Sequence, residues 1–195
     1  MKLLSIALSL LFLYNPDLFA RQVETETEYK EAIVKQHKDL LINFSKSPLV
    51  IAAIVAANEK NVGIVNIMQL DANWQVNRKL QKSVMHTPLA AKIIEFIKNP
   101  KLDIAEMMVL DKNGVLVAVF PKPTDYWQGD EDKFQQPIRI NGDYVGPTKW
   151  DSSASTYQFF YCILIKNSEK KVIGVLVTGL DVSKEYLENQ ISQND

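Results

Sequence analysis

The chain has 195 residues, of which 47% are hydrophobic and 23% charged, values typical of a globular protein with a substantial core. Its 22 Lys and Arg residues nearly balance 23 Asp and Glu residues, and the formal net charge of -1 leaves no basic footprint for nucleic acid. We therefore expect one domain and no nucleic-acid partner.

The first 20 residues have the pattern of a secretory signal peptide. Lys2 precedes an apolar run over residues 3–14, Asn15-Pro16 breaks that run, and Ala20 is a small residue suited to cleavage. The run is short for a membrane span, and an uncleaved anchor is the alternative. These features predict a signal peptide over residues 1–20, a mature domain over 21–195, and a periplasmic or secreted protein.

Apolar residues recur at spacings of three and four in the N-terminal half, which is the pattern of amphipathic helices. Ser47-Pro48 and Thr87-Pro88 each combine a capping residue with proline at the first helical position. The run 49–57 is apolar on all sides, so we expect it to be buried, and we expect Trp74 and Val76 to face inward. The predicted helices are residues 23–44, 48–57, 64–82 and 88–98, of which 64–82 is either one helix or two.

After residue 102 the pattern changes to that of strands. The predicted strands are residues 104–110, 115–120, 156–166 and 171–180, which form two hairpins with turns at 111–114 and 167–170. A short closing helix over 182–191 follows. Helices followed by an antiparallel sheet predict an α+β fold.

Two separate segments place aromatic residues beside carboxylates. Tyr126 and Trp127 lie in an acidic loop after the first hairpin, and Trp150-Asp151 precedes the third strand. Adjacent aromatics in a polar loop typically line a pocket, although these two are equally suited to plugging the end of a core. Asp151 suits a ligand contact or a turn cap, and Asp181 a pocket or the N-cap of the closing helix.

Aromatic faces and carboxylates together favour a ligand that carries an ammonium group. We expect five of these residues to line one cavity on a face of the sheet: Tyr126, Trp127, Trp150, Asp151 and Asp181. The acidic run 130–132 lacks the spaced ligands and the glycine of a calcium loop, so it predicts no metal site.

The sequence gives little indication of catalysis. His37 lies on a helical apolar stripe and His86 precedes a helix cap, so neither belongs to a recognisable catalytic triad. Metalloprotease, P-loop and dinucleotide motifs do not occur, although a glycosidase-like carboxylate pair remains an alternative. We do not expect an enzyme.

Several segments resemble the Cache (PDC, PAS-like) family of extracellular sensor domains. Residues 109–119 resemble the D-x-x-G-x-h-V-A hairpin of these domains, and 170–178 resemble their G-x-x-I-G-V-L strand. The stretch 124–131, together with Asn58 and Asp71-x-x-Trp74, is similar to stand-alone exported single-Cache proteins. The resemblance implies a long N-terminal helix and a helical layer packed on a central antiparallel sheet.

The resemblance also implies a ligand site. Amino-acid-binding Cache domains carry an Arg and a Trp-Tyr pair after the first hairpin, an aromatic-x-Asp at the next strand, and a final Asp. Tyr126-Trp127 resembles the pair in reversed order, Trp150-Asp151 the second motif with closer spacing, and Asp181 the last Asp. The Arg is missing at its expected place, and Arg139 or Lys149 is the substitute.

The implied function is that of an exported sensor for a small amine, amino acid or organic acid, which signals through a separate membrane receptor or kinase and uses no cofactor. A ligand-free module that docks on a membrane protein of the envelope is the alternative. A secreted hydrolase is a third class.

Overall fold

The computed structural model describes residues 25–60, 63–152 and 155–191, so the predicted signal peptide lies outside the described residues. This part of the chain forms seven helices and six strands. In chain order they are α1 (Glu26–Ser45), α2 (Pro48–Glu59), α3 (Ile64–Ala72), α4 (Arg78–Met85), α5 (Pro88–Ile97), β1 (Ile104–Asp111), β2 (Leu116–Phe120), α6 (Asp132–Ile140), β3 (Tyr144–Val145), β4 (Lys149–Asp151), β5 (Thr156–Lys166), β6 (Val172–Asp181) and α7 (Lys184–Ile191).

Several helices begin at side chains that cap them, among them α1, α2 and α5. The Thr25 hydroxyl accepts from Glu28 N, and the Glu28 carboxylate accepts in return from Thr25 N at 2.9 Å, which is a complete capping box. Ser47 and Thr87 cap α2 and α5, with proline at the first helical position in both. The two cap-proline pairs are therefore confirmed as helix starts.

The strands form one antiparallel sheet with the order β2-β1-β6-β5-β3, and β4 also pairs with β5. Each predicted hairpin forms, and the two hairpins join where β1 pairs with β6, with Met108 opposite Val177. The α+β fold with a long N-terminal helix and a helical layer on an antiparallel sheet is confirmed.

Both faces of the sheet are covered. The α1 face, as we call it, packs against α1, α2 and α5 and includes Phe159 and Ile163 of β5. The α6 face packs against α3, α4 and α6 and includes Cys162 of β5 with Val175 and Val177 of β6. Because successive side chains of a strand point to opposite faces, β5 and β6 contribute to both cores.

The residues predicted to form the strand core are Met108, Val117, Phe159, Ile163, Val175 and Val177. All are buried except Val117, which is half-buried on the outer strand β2.

Two predictions about burial are wrong. α2 is not buried on all sides, because Val50 and Ile54 face the sheet while Leu49 and Val55 are 39% and 40% exposed at the surface of the helical layer. Val76 does not face inward but is 76% exposed, since it lies in the turn between α3 and α4. Trp74, two residues earlier, is fully buried as predicted.

The segment between the two hairpins contains one helix and two short strands that the residue pattern did not predict. α6 has only 9 residues and contains Pro137, which disfavours a helix interior. β3 and β4 have only 2 and 3 residues, which is too short for an alternating pattern to be recognised in the sequence. These elements bring Lys133 and Asp151 to the α6 face.

Within the described ranges, no single helix is both long and apolar enough to cross a membrane. α1 and α2 meet that criterion only as a pair, which is bent by 59° at the break between them.

Candidate functional site

The loop that carries Tyr126 and Trp127 is anchored to the protein core. Asp71 Oδ1 accepts hydrogen bonds from Tyr126 N at 2.7 Å and from Trp127 N at 2.9 Å, and Trp127 Nε1 donates to the Asn113 carbonyl at 2.8 Å. The rings of Tyr126 and Trp74 lie 5.6 Å apart. Of the two interpretations of this loop, the plug at the end of the core describes its packing.

Tyr126 also lines a cavity of about 410 Å³ beside the β1–β2 hairpin, which we call the α2 cavity. Its walls come from α2, α3, α4 and α5, from β2, and from Asp111 and Tyr126. Neither Trp150 nor Asp151 reaches it.

A second cavity of about 220 Å³, the α6 cavity, lies at the other end of the sheet. Its walls are the start of α6, the segment from β3 to β4, and the first part of β5. The lining residues are Glu131, Asp132, Lys133, Tyr144, Gly146, Pro147, Lys149, Trp150, Asp151, Gln158 and Phe160.

Pairing between β4 and β5 fixes the direction of the predicted residues. Lys149 lies opposite Gln158 and Asp151 opposite Thr156, so both share the α6 face with Gln158. Trp150 lies opposite Tyr157, with the two rings 5.2 Å apart, and is 57% exposed. Trp150 therefore borders the cavity from its rim.

Two polar side chains interrupt the apolar sheet at the α6 cavity: Gln158 lines the cavity, and Glu106 is its hydrogen-bond partner behind it. Gln158 Nε2 donates to Glu106 Oε1 at 2.5 Å, and the two residues are each only 2% exposed. Gly179 lies opposite both Glu106 and Phe160 on the central strand. A methyl group on Gly179 would lie 2.0 Å from Gln158 Oε1, so this glycine provides the space for the amide.

Glu106 has an altered acidity. Its pKa is raised to about 7, mainly by burial; Lys133 and the Gln158 amide lower the pKa, and the Asp151 carboxyl raises it. Two carboxyl groups in hydrogen-bond contact share a proton more readily than they both ionise. Asp151 in the cavity wall and Glu106 behind Gln158 therefore form a carboxyl pair that an added cation would stabilise in its ionised form.

Lys133 supplies the buried cation of the site. Its side chain lies 3.0 Å from Glu131 Oε2 and 4.9 Å from the centre of the Phe160 ring, which is a cation–π arrangement. Only 9% of Lys133 is exposed. A buried ammonium group of this kind is a candidate partner for a ligand carboxylate.

Asp181 lies next to the cavity, directly opposite Gln158 in the sheet, but does not line it. Burial raises the pKa of Asp181, and its Oδ1 is buried with no hydrogen-bond partner in the described part of the chain. Gln158 Oε1 is also buried with no hydrogen-bond partner among the described residues. Two acceptor oxygens without partners lie beside a carboxyl pair, so this end of the sheet can accept hydrogen bonds from a ligand.

The structure thus does not bring the predicted residues into one cavity. Asp71 holds Tyr126 and Trp127 at the hairpin end of the fold, so Tyr126 lines the α2 cavity and Trp127 packs on the hairpin turn. Lys149, Trp150 and Asp151 line the α6 cavity, and Asp181 is adjacent to it. Arg139 is exposed, bonds to Gln136 and lines neither cavity.

Sequence reasoning missed Glu106, Gln158 and Lys133. Glu106 and Gln158 interrupt strands that are otherwise apolar on both faces, and that interruption is the signal that identifies them. Lys133 had no such signal, because α6 was not predicted.

No group of three or more His, Cys, Asp or Glu side chains within residues 25–60, 63–152 and 155–191 is placed to hold a metal ion. The carboxylates at the start of α6 are thus described by their contacts with lysine and amide groups, such as Glu131 with Lys133.

No protein family profile and no curated protein matches the chain. Among solved structures, the sensory domain of the Campylobacter jejuni chemoreceptor Tlp3 with isoleucine bound matches 84% of this chain and 64% of its own, with 17% identity and a TM-score of 0.40. The ligand-binding domain of the Pseudomonas aeruginosa amino acid chemoreceptor PctC with GABA matches 66% and 61%, with 12% identity and a TM-score of 0.40. The sensor domain of the V. cholerae histidine kinase DctB matches 83% and 60%, with 16% identity and a TM-score of 0.37.

The chain therefore spans less than two thirds of the length of these three structures. All three are sensor or ligand-binding domains.

Proposed function

We propose that the protein is a sensor domain that binds a small ammonium-bearing ligand in the α6 cavity. The observation that carries this proposal is the buried Glu106 carboxyl, paired with the half-buried Asp151, beside the buried ammonium of Lys133. Buried ionisable groups with perturbed pKa values in a cavity are typical of functional sites.

The charges of the site match those of an amino acid. A ligand ammonium group would contact Asp151, which lines the cavity, and its charge would also favour the ionised form of Glu106, which lies behind Gln158. A ligand carboxylate would contact Lys133, with the more exposed Lys149 at the cavity wall as a second cation. In this proposal Lys133 has the role that the sequence resemblance assigns to the missing Arg, for which Arg139 or Lys149 was the predicted substitute.

The size and walls of the cavity restrict the ligand further. A volume of about 220 Å³ is below the usual range for drug-sized ligands, which favours a compact molecule. Phe160 and Tyr144 provide aromatic surface inside the cavity, and Trp150 provides it at the rim. Small amino acids and short amino-alkyl acids fit this description.

The proposal includes export and a separate signalling partner. The pattern of residues 1–20 supports delivery to the periplasm or the exterior, and the resemblance to stand-alone Cache proteins supports a membrane receptor or kinase as the partner. Mass spectrometry of the mature protein tests export, since a chain that still begins at Met1 would contradict cleavage near Ala20.

An interaction module that docks on an envelope protein is the second candidate. Ile64, Val65 and Met68 of α3 are 53%, 67% and 56% exposed, which is unusual for three apolar side chains of one short helix. A hydrolase is not favoured. The two carboxyl groups of a retaining glycosidase are separated by about 5–5.5 Å, whereas those of Glu106 and Asp151 are in hydrogen-bond contact.

A thermal-shift screen of amino acids, amines and organic acids, followed by calorimetric titration, tests the proposal. A true ligand at 100 times its Kd should add about 2.7 kcal/mol to the free energy of unfolding. Asp151→Asn keeps the shape of the site and removes a charge, so it should weaken binding about tenfold or more.

Asp125→Asn is the matched control, because Asp125 is an exposed carboxylate outside the α6 cavity. Equal affinity in wild type, Asp151→Asn and Asp125→Asn would contradict a ligand at Asp151. A screen without any hit, combined with binding to an envelope protein that Val65→Asp abolishes, would favour the second candidate.

A further inference from the structure

The α2 cavity has the composition of a small-molecule site rather than of a packing defect. Four alanines of α2 leave space along one wall, and Leu116 and Val84 provide apolar surface on others. At about 410 Å³ the cavity falls within the range of 300–1,000 Å³ typical of ligand pockets.

Two buried polar residues line this largely apolar space. Asp111 is 6% exposed and Tyr126 9% exposed, and both line the cavity. In the described chain the Tyr126 hydroxyl and Asp111 Oδ2 make no hydrogen bond, and neither belongs to the fully buried polar atoms that lack a partner. Both atoms are therefore accessible to a ligand group in the cavity.

The turn of the first hairpin explains only half of the Asp111 carboxylate. Asp111 Oδ1 accepts from Asn113 N at 2.8 Å and from Val115 N at 3.0 Å, which fixes the turn. Oδ2 has no part in the turn. An Asn side chain would serve the turn equally well through its carbonyl oxygen, so the second carboxylate oxygen and its charge are left for another role.

We infer that the α2 cavity is a second binding site, which takes an apolar molecule carrying an ammonium group. The apolar body would fill the space against the α2 alanines and Leu116. The ammonium group would donate to Asp111 Oδ2 and to the Tyr126 hydroxyl oxygen. The charged residues of the lining are the buried Asp111 and the exposed Lys60, so Asp111 is the one buried charged group among the residues that line the cavity.

Calorimetric titration with 2-phenylethylamine, 2-phenylethanol and ethylbenzene tests this inference, because the three probes differ in their polar group and share an apolar body. We expect the amine to bind in a saturable manner and the alcohol about tenfold more weakly or worse, since it lacks the charge. Ethylbenzene should bind most weakly. Equal affinity for all three would overturn the assignment of an ammonium ligand.

Variants locate the binding site. Asp111→Asn should weaken amine binding about tenfold or more, and Tyr126→Phe about two- to tenfold, through the loss of one hydrogen bond. Ala56→Leu, at an exposed position of α2 that lines the cavity, should block the space without changing a polar group. Circular dichroism melts establish that each variant is folded.

Asp151→Asn separates this inference from the proposed function, because Asp151 lies in the α6 cavity. Amine binding that survives Asp151→Asn and is lost in Asp111→Asn and Ala56→Leu supports the second site. Binding that is lost only in Asp151→Asn would assign the amine to the α6 cavity and overturn the inference. Absence of binding by all three probes would overturn it as well.

Discussion

The two faces of the sheet are built from the same strands but differ in where they become polar. The buried β5 residues of the α1 face are Phe159, Tyr161, Ile163 and Ile165, of which only Tyr161 has a polar group. Its hydroxyl bonds to Asp143 at the edge of the sheet. On the α6 face, the β5 residues are Leu164, Cys162 and Phe160, which are apolar, and then Gln158, which is polar. Gln158 lies next to Glu106 and Asp181.

The difference indicates what each face does. Buried polar side chains destabilise a core unless they are paired, so a fold that needed only stability would continue the apolar pattern to the end of the strand. The α6 face instead places carboxyl, amide and ammonium groups under a cavity. The contrast predicts that substitutions on the α1 face change stability, whereas those at the polar end of the α6 face change protonation and binding.

The largest effect should come from Phe159→Ala on the α1 face. Phe159 is fully buried among α1, α2 and α5, so its truncation should lower the free energy of unfolding by about 3–5 kcal/mol in urea denaturation. Tyr157→Ala is the control, since Tyr157 lies on the same strand and side but is 43% exposed. A loss below about 1 kcal/mol for Phe159→Ala would contradict the prediction that substitutions on the α1 face act on stability.

Glu106 should make stability depend on pH. Its pKa rises from 4.5 in the unfolded chain to about 7 in the fold, so the folded state retains a proton that the unfolded state releases between these values. The contribution is complete below pH 4.5 and is lost as the pH rises through 7, with a total of about 3 kcal/mol at most.

Urea denaturation at pH 5 and pH 8 measures this loss. Glu106→Gln should reduce the difference between the two pH values, whereas Glu95→Gln, at an exposed site on α5, should leave it unchanged. A wild-type protein that becomes more stable from pH 5 to pH 8, with a slope that Glu106→Gln does not alter, would contradict the raised pKa.

Gly179→Ala should give a smaller effect that sharpens the comparison. The added methyl group would meet Gln158 Oε1 at 2.0 Å and Glu106 Cγ at 2.8 Å, so both side chains must move, at a cost of about 1–3 kcal/mol. Gly142→Ala, whose nearest neighbour is 3.8 Å away, should change stability by less than about 0.5 kcal/mol.

A double-mutant cycle with Gln158→Ala identifies the clash. Removal of the amide should recover part of the loss caused by Gly179→Ala, because the added methyl group would meet the Gln158 side chain of the neighbouring strand. Strict additivity of the two substitutions would show that Gly179 and Gln158 do not interact.

The sequence was informative where a periodic pattern was long. α1 and the strands β5 and β6 each extend over ten or more residues, and the cap-proline pairs at 47–48 and 87–88 start their helices as predicted. The predicted Trp150 and Asp151 do border a cavity. Local pattern and tertiary packing agree in these places, which is why the fold was predictable.

The site was only partly predictable because it depends on which chain segments meet. Tyr126 was placed with Trp150 on chemical grounds, but two hydrogen bonds to Asp71 hold its loop at the other end of the sheet. A one-dimensional pattern does not contain such long-range contacts. Lys133 reaches the cavity only because a short, proline-containing helix begins at Asp132.

The strand order has a consequence for the order of events in synthesis. β6, which follows the other five strands of the described chain, occupies the centre of the sheet, between β1 and β5. Until β6 is synthesised, β1 and β5 each have one edge without a partner, and neither core is complete. A nascent chain of this protein therefore remains open to edge-to-edge association until β6 has left the ribosome.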